Sequence, residues 1–386
     1  MLGSNASGVD RIGNRFAYML VDMGYTILYK KMEREEDLTE EDFWSCFKDR
    51  SMYDFRYICS GGRTDESILD EMIKVVGRYN DSTETNPAND PSTESQNVLA
   101  GRGDATVLVD VNESEISASA GQSAIIAGIQ AWVEKSSSHF CIGSHDCGKY
   151  AAIFAPRVKI SASKVAAYGD TTATVDLTIP ASLYYLACAA KASENYAEWY
   201  GVAGYQRGTC GYTVLGTTLP LGDLAVQRLE PRTSWNDASV CRSVNVITKI
   251  RSSGSAGYYL WGSRTAHALQ TAATGDLVAS HFLNIRQLCS TLKKDIYIAC
   301  KQLTFSPNDA LLWIDFQDKI RPTLERMKGD RGIKDYKMVK VNVSKKALMK
   351  AKIKIVPIEP VEDFNVGVYL EDSIDGLNAT TTESEE

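Results

Sequence analysis

The sequence lacks the marks of a membrane-spanning, secreted or nucleic-acid-binding protein. It contains no run of about eighteen consecutive apolar residues, the length that a transmembrane helix needs. Its N-terminus holds no apolar stretch behind a basic start, so it does not have the pattern of a secretory signal. Basic residues are in the minority, since 42 Lys and Arg face 49 Asp and Glu for a net charge of -7. We therefore expect neither a membrane nor nucleic acid as a direct partner.

The sequence also lacks a recognisable catalytic or metal-binding constellation. Histidine is scarce, with four in 386 residues, and none stands in a nucleophile arrangement with a Ser or Cys. Cys141, His145 and Cys147 lie close together, but no second Cys/His pair completes a zinc site, so a polar turn is favoured. The turn at Gly61-Gly62 lacks both G-x-G-x-x-G and a G-K-[ST] ending, which favours a strand-to-helix turn over a phosphate loop. The sequence predicts no cofactor, no metal and no enzymatic activity.

Cysteine occurs nine times, but without a disulfide framework. An odd, scattered count in a chain of this length indicates reduced thiols from a cytosol. Several of these cysteines stand in apolar runs, where the side chain behaves as a small hydrophobe.

What the sequence does contain is a globular composition, 44% hydrophobic and 24% charged, with strand and helix patterns in alternation. Strand patterns at 105–111 and 148–160 and helical patterns at 65–76 and 120–135 predict a layered core with a mixed sheet. The predicted fold class is α+β or mixed α/β, with a C-terminal module of two helices and β-strands that ends in an extended strand arm. The predicted parts are a short N-terminal segment (1–38), an α/β core part (39–163), a β-rich middle part (164–254), the C-terminal module (255–358), and an arm with an acidic tail (359–386).

Residues 80–97, NDSTETNPANDPSTESQN, predict a mobile surface loop. The segment is rich in Pro, Ser, Thr and Asn and has too few apolar residues to bury a surface of its own. We expect it on the outer surface, where it is open to proteases.

The end of the chain combines an uneven charge distribution with one more strand pattern. Residues 318–354 hold thirteen Lys and Arg against four Asp and Glu, whereas residues 359–386 hold nine acidic residues and no basic one. Four apolar residues in the acidic part alternate with their neighbours as in a half-buried strand: Phe364, Val366, Val368 and Leu370. One interpretation is a solvated basic face and a disordered acidic tail. The other is that this strand adds to a basic sheet edge of another copy, with Lys340, Lys352 and Lys354 in the accepting strands.

An ordered set of segments resembles the contractile tail sheath proteins of phages and related injection machines. In that family a G-x-x-[VIL]-W-G-x-R-T segment precedes two helices, a strand and a pair of C-terminal strands with an extended arm. This chain has Trp261-Gly262-Ser263-Arg264-Thr265, then FLNIRQL, PNDALLW, KVNVS and AKIKIVPIEPVEDFNVGVYLE. The resemblance covers about residues 39–372 and is most specific after Gly257. The family's usual N-terminal arm is not visible before Gly24, so the arm is shortened, supplied by another polypeptide, or missing from a fragment.

The resemblance implies a structural subunit and not an enzyme. Copies would form a helical homopolymer around a tail tube, with baseplate and tail terminator proteins as further partners and strand addition between neighbours. Contraction would drive the tube through a target envelope. The location would be a virion tail made in the bacterial host cytoplasm. Two alternatives stay open: an α/β enzyme that binds a nucleotide or small substrate near Gly61-Gly62, and another phage tail structural protein of the tube or baseplate.

The W-G-S-R-T segment has two interpretations of its own. In one, Trp261 is a core residue beside a surface arginine. In the other, the segment is a structural turn that needs Gly262 for a close approach, and Arg264 binds a carboxylate or backbone carbonyls through its planar guanidinium.

Overall fold

The computed structural model describes residues 44–80, 99–143, 145–161, 176–222, 244–252, 255–269, 279–341 and 348–360. The predicted N-terminal segment 1–38, nearly all of the predicted loop 80–97 and the predicted arm strand 364–370 lie outside these residues. None of the helices within the described ranges has the length and apolar character needed to cross a membrane.

Strands and helices are interspersed along the described part of the chain. The strands are β1 (Tyr57–Cys59), β2 (Tyr79–Asn80), β3 (Leu99–Ala100), β4 (Thr106–Asp110), β5 (Cys141–Ile142), β6 (His145–Asp146), β7 (Ala151–Ala155), β8 (Val158–Ser161), β9 (Asp176–Ile179), β10 (Val214–Thr217), β11 (Val244–Ser252), β12 (Ser255–Trp261), β13 (Ile333–Val341) and β14 (Lys350–Pro357). The helices are α1 (Glu66–Val76), α2 (Gln122–Ser136), α3 (Ala181–Ser193), the one-turn α4 (Gly204–Arg207), α5 (Leu283–Leu303) and α6 (Ala310–Gly329).

A mixed five-stranded sheet forms the centre of the fold, in the order β1-β4-β7-β11-β12. The first four strands are parallel to one another, and β12 runs antiparallel to β11. Every residue of β4 and β7 is buried, as expected for parallel strands that are covered on both faces. The predicted mixed sheet is therefore confirmed. Its strands come from three of the predicted parts (39–163, 164–254 and 255–358), and the division of the chain into those parts stays a prediction.

Helices and a second sheet cover the two faces of this central sheet. On one face, α1 and α2 pack against alternate sheet residues such as Val107, Ile153 and Val246. On the other face, α3 and the small antiparallel sheet β10-β8-β9 pack against Leu108 and Phe154. These layers are the layered core that the alternating patterns predict.

The C-terminal module has its own apolar core. Residues of α5 and α6, such as Leu288, Phe316 and Leu324, pack together and against the strand pair β13-β14. Helix α6 begins with a side-chain cap, because Asp309 Oδ1 accepts a hydrogen bond from the Leu312 N–H at 3.0 Å. It ends at Gly329, where the sequence predicts its end.

Two predicted strands differ from the observed ones. The single strand predicted over 148–160 is wrong: a 3-10 turn occupies Gly148–Tyr150, and two strands of different sheets follow, β7 before Pro156 and β8 after it. Proline has no N–H to donate to a ladder, so the chain leaves one sheet there and enters another. The alternation of Tyr53, Phe55, Tyr57 and Cys59 predicts a strand over 53–59, but the observed strand covers only β1.

Candidate assembly surfaces

The outer face of the sheet β13-β14 carries two of the three lysines predicted to accept an arm. Residues that pair directly in an antiparallel ladder lie on the same face. Lys354 is opposite Lys337, and Lys352 is opposite Val339. All three lysines are exposed. Like charges directly opposite each other are unfavourable in a sheet, so an acidic partner on this face would be stabilising.

Lys340 is separated from the other two lysines by the register of the ladder. It lies opposite Ala351, on the face whose next pair is Met338 and Ile353. That face packs against the helices, although Lys340 itself, near the end of β13, is exposed. The structure therefore brings Lys352 and Lys354 together and places Lys340 across the sheet from them.

Each strand of this pair has an outer edge available. Among the residues that the structure describes, β13 pairs with β14 and neither strand has a second neighbour. Their outer edges thus present backbone N–H and C=O groups, which are templates for an added strand. The chain leaves β14 at Pro357, and the Ile358 N–H then donates to the Gly332 carbonyl at 3.0 Å.

A second exposed surface lies around the connection between α5 and α6. Phe305 is fully exposed and has a positive φ of 71°, which is uncommon for a residue with a side chain. Leu311 and Ile314, near the start of α6, are 64% and 48% exposed. Exposed apolar side chains one helical turn apart, such as Leu311 and Ile314, are typical of contact sites for other proteins.

The predicted structural turn places its arginine inside the protein. Arg264 is 1% exposed, and its guanidinium stacks over the ring of Phe282, with Cζ 4.5 Å from the ring centroid. Trp261 is only half-buried and contacts Tyr205 edge-to-face at 5.5 Å between centroids. The interpretation of Arg264 as a surface residue beside a core tryptophan is therefore wrong, because Arg264 is more deeply buried than Trp261.

Asn245, which the sequence patterns do not single out, holds the turn in place. Its side chain is fully buried in β11 and bonds Arg264 on both sides: Oδ1 accepts from the Arg264 N–H at 2.7 Å, and Nδ2 donates to the Arg264 carbonyl at 3.0 Å. The same Nδ2 donates to the carbonyl of Ile153 in β7 at 3.0 Å. One amide thus ties two central strands to the turn.

Gly262 permits the backbone of this turn. Its φ is 141°, in the region that side chains strongly disfavour, and it is buried. After the turn, Arg264 bridges to Phe282, where α5 begins. The segment therefore connects the central sheet directly to the C-terminal module.

Two stacked histidines adjoin the turn. His267 and His281 lie 4.9 Å apart between ring centroids, and His267 Nδ1 hydrogen bonds with Asp146. Burial, followed by the neighbouring His267 and Arg264, lowers the pKa of His281 to about 4. His281 is therefore neutral at physiological pH.

Protein groups pack against Gly62 in the turn at Gly61-Gly62, whereas the space beside Gly61 is open. A Cβ on Gly62 would lie 2.6 Å from Pro180, and the Gly62 carbonyl accepts a hydrogen bond from Arg157 at 3.2 Å. Arg63, the cation of the turn, pairs with Asp65 at 3.0 Å. These contacts account for the residues that suggested a phosphate loop.

Cys141, His145 and Cys147 form part of a small hairpin and do not converge. Cys141 and His145 belong to the paired strands β5 and β6, and Cys147 is fully buried in the apolar core. Across the described ranges, no three or more His, Cys, Asp or Glu residues come together as metal ligands.

Comparison with known proteins identifies the C-terminal module. Residues 279–371 match the family described as the phage tail sheath C-terminal domain. The fold is similar to a chain in the cryo-EM structure of the anti-feeding prophage (AFP) baseplate, with 15% identity over 96% of this chain and 84% of that chain and a TM-score of 0.57. A chain of the contracted sheath complex of an extracellular contractile injection system, PVC, aligns at 14% identity over 91% of this chain and 98% of that chain, with a TM-score of 0.49. No curated protein matches the sequence.

The matched range and the structure agree with each other. Residues 279–371 include α5, α6, β13 and β14, which share one apolar core. Residues 279–371 are therefore similar to the phage tail sheath C-terminal domain, and the chain has a fold shared with a chain in the structure of the anti-feeding prophage baseplate.

Proposed function

We propose that the protein is a structural subunit of a contractile tail sheath that polymerises around a tail tube. The observation that carries this proposal is the strand pair β13-β14 inside the matched domain, with its lysine-bearing outer face and with outer edges that pair with no other described strand. Further partners would be a baseplate and a tail terminator, in a virion tail made in the bacterial host cytoplasm. The matched family is structural, which supports a role without catalysis.

In this proposal the segment from Phe364 to Leu370 adds to the strand pair of a neighbouring copy. The dimensions fit, because the eight residues of β14 and the seven of this segment span about 26 and 23 Å in extended form. The acidic residues directly before this segment, Glu359, Glu362 and Asp363, complement the exposed Lys337, Lys352 and Lys354.

Apolar side chains decide whether such an added strand is stable. Ordering seven residues costs about 7–14 kcal/mol of backbone entropy. Each new backbone hydrogen bond contributes about 0.5–1.5 kcal/mol net, which does not cover that cost. Burying four apolar side chains adds about 6–12 kcal/mol. The link between copies should therefore depend on one face of the strand, the face of Val366.

Strand addition also suits contraction. The added strand is held mainly by backbone groups and one apolar face, so the bodies can move while the strand stays paired. The segment 357–363, PIEPVED, contains two prolines and no apolar periodicity. Because Pro357 and Ile358 are paired with Ile333 and Gly332, the proposed hinge is its remainder, 359–363. Free energy stored in an extended polymer would be released as the bodies gain contact area, without a nucleotide.

The test compares two substitutions that add the same charge to opposite faces of the segment. Val366→Asp should prevent polymerisation, whereas Asn365→Asp should leave it intact, with sedimentation and negative-stain electron microscopy as measurements. Circular dichroism and thermal unfolding should show that both variants fold like the parent. Equal behaviour of the two variants would contradict an added strand with one buried face.

The similarity to a baseplate chain favours one second candidate, a sheath-like subunit of the baseplate. The same micrographs distinguish the two functions. A sheath subunit forms long tubes, whereas a baseplate subunit forms discrete rings or small oligomers at every protein concentration.

A further inference from the structure

Five cationic side chains lie at the loop that joins β3 to β4, one of them from the loop itself. The loop contains Gly101, Arg102, Gly103 and Asp104, and both charged members are 2% exposed. The cations come from four separate parts of the chain: Arg50, Arg78, Arg102, Arg286 and Lys293.

Arg102 is fully satisfied by its surroundings. Its guanidinium pairs with both carboxylate oxygens of Asp104, at 2.9 and 3.4 Å, and donates to the carbonyls of Phe47 and Tyr53. Its Cζ lies 4.2 Å from the ring centroid of Phe55. The Arg-Gly-Asp tripeptide is thus an internal structural element.

The other four cations donate hydrogen bonds mainly to backbone carbonyl oxygens. Arg78 donates to the Gly101 carbonyl at 3.0 Å, and Arg50 donates to the Arg102 carbonyl. The Gly103 carbonyl accepts from both Arg286 and Lys293, the latter at 2.9 Å.

This arrangement leaves positive charge without enough counter-charge. Within the described part of the chain, Asp104 is the one carboxylate that contacts the cluster, and Arg50 reaches it only at 3.9 Å. Burial, reinforced by Arg286, Arg78 and Arg50, lowers the pKa of Lys293 to about 7. A buried cation without an opposite charge beside it is strongly destabilising, so a bound anion would lower the free energy of this cluster.

Arg286 supplies a second and independent sign of an anion-binding site. It is 8% exposed, and its Nε has no hydrogen-bond partner among the described residues. Its guanidinium lies on the ring of Tyr150, with Cζ 4.2 Å from the centroid. Buried guanidinium groups bind carboxylates strongly and with defined geometry. The outer members can be reached from solvent, since Arg50 is 24% exposed in its side chain and Arg78 and Lys293 are half-buried.

We propose that Arg50, Arg78, Arg286 and Lys293 form a carboxylate-binding site, and that its ligand is the acidic terminal segment of this chain, residues 371–386. The segment carries six carboxylates and no basic residue: Glu371, Asp372, Asp375, Glu383, Glu385 and Glu386.

The path of the chain supports this ligand. Ile358 is bonded to Gly332, and a Cβ on Gly332 would lie 2.6 Å from Leu288 of α5. Arg286 and Lys293 belong to the same helix. Ile358 therefore lies close to the helix that carries half of the proposed site, and twelve residues (359–370) connect it to the acidic segment. The inference does not depend on the sheath role, because it concerns binding by the chain whether or not copies polymerise.

The experiment uses the full chain with the six terminal carboxylates replaced by their amides, so that the site is open to an added ligand. The probe is a fluorescently labelled peptide of residues 371–386, and its binding is followed by anisotropy. The peptide should bind, and Lys293→Met should weaken it about tenfold or more, since bonds between charged groups are the strong ones. Lys191→Met, at an exposed position in α3, is the matched control and should bind like the parent.

A second variant, Arg50→Gln, alters the exposed rim, so that the result does not depend on one buried position. It should also weaken binding, and all binding should fall as salt is raised from about 50 to about 300 mM. Circular dichroism confirms that each variant folds. Undetectable peptide binding, equal binding by Lys293→Met and the parent, or an equal loss in Lys191→Met would overturn the proposal. Binding of inorganic phosphate, without binding of the peptide, would likewise overturn the terminal segment as the ligand.

Discussion

Replacing Asn245 by Ala should destabilise the protein more than most single substitutions. The amide makes three hydrogen bonds from a fully buried position, to the Arg264 N–H, the Arg264 carbonyl and the Ile153 carbonyl. Alanine has no amide and removes all three hydrogen bonds at once. The turn that bridges the central sheet to α5 would lose its attachment to β7 and β11.

The magnitude follows from the number of backbone groups that lose a partner. A buried donor or acceptor left without a partner costs about 1–3 kcal/mol. Three such groups at the lower end of that range give a loss of about 3 kcal/mol in the free energy of unfolding. That is a large fraction of the ~5–15 kcal/mol that stabilises a typical domain.

The assay is urea unfolding followed by circular dichroism, with Asn284→Ala as the control. Asn284 is also a buried asparagine, but the one described bond of its side chain is a 3.4 Å contact to the Trp199 carbonyl, and its Oδ1 has no partner among the described residues. We expect Asn284→Ala to cost about 1 kcal/mol or less. A loss below about 1 kcal/mol for Asn245→Ala, or equal losses for the two variants, would refute the reasoning.

Four other perturbations test separate features of the structure. Lys352→Glu reverses an exposed charge on the proposed arm-accepting face, so it should weaken assembly more at low salt than at high salt. Sedimentation measures this, and a loss of assembly that does not depend on salt would contradict it. Arg264→Lys should lower the free energy of unfolding by about 1–2 kcal/mol, because a lysine does not reproduce the guanidinium stack over the Phe282 ring; unchanged urea unfolding would speak against it. Burial raises the pKa of Asp110 to about 6 from 3.8, so the folded state binds a proton more tightly than the unfolded state. The free energy of unfolding should therefore fall by up to ~3 kcal/mol as the pH rises from about 4 to about 6. Asp110→Asn should remove this slope, and an unchanged slope in urea unfolding would exclude Asp110 as its cause. Limited proteolysis should cut first within residues 80–97 in both monomer and polymer, and resistance of this segment in both would count against a surface loop.

Local periodicity predicts most of the helices. The predicted helix from about Asp65 is observed as Glu66–Val76, because its apolar residues recur at helical spacing and pack on one face of the sheet. The end of α6 at Gly329 is likewise local chemistry. These elements depend on residues within one or two turns of each other, so the sequence contains all the information that they need.

Pairing between distant residues could not be predicted in this way. Nothing in the sequence near Arg264 shows that Asn245 bonds it, or that Phe282 lies under its guanidinium. One signal was present: Asn245 is a polar residue inside a run of β-branched residues, which is typical of a buried group with a specific partner. The cluster around Gly103 was equally hidden, since its cations are contributed by segments as far apart as Arg50 and Lys293.

The order of strands in the central sheet has a consequence for synthesis of the protein on the ribosome. Strand β7 ends at Ala155, and its neighbour β11 begins only at Val244, so 88 residues (156–243) must be added between them. Translation at about 5–20 residues per second takes roughly 4–18 s to add these residues. Until then β7, whose residues are all apolar, is an edge strand of the nascent sheet without its partner β11. During that interval the edge of β7 can pair with other nascent chains, and chaperones that shield exposed strands would act at this stage. The yield of folded protein should therefore depend more on the rate at which residues 156–243 are translated than on helices α1 and α2, which precede them.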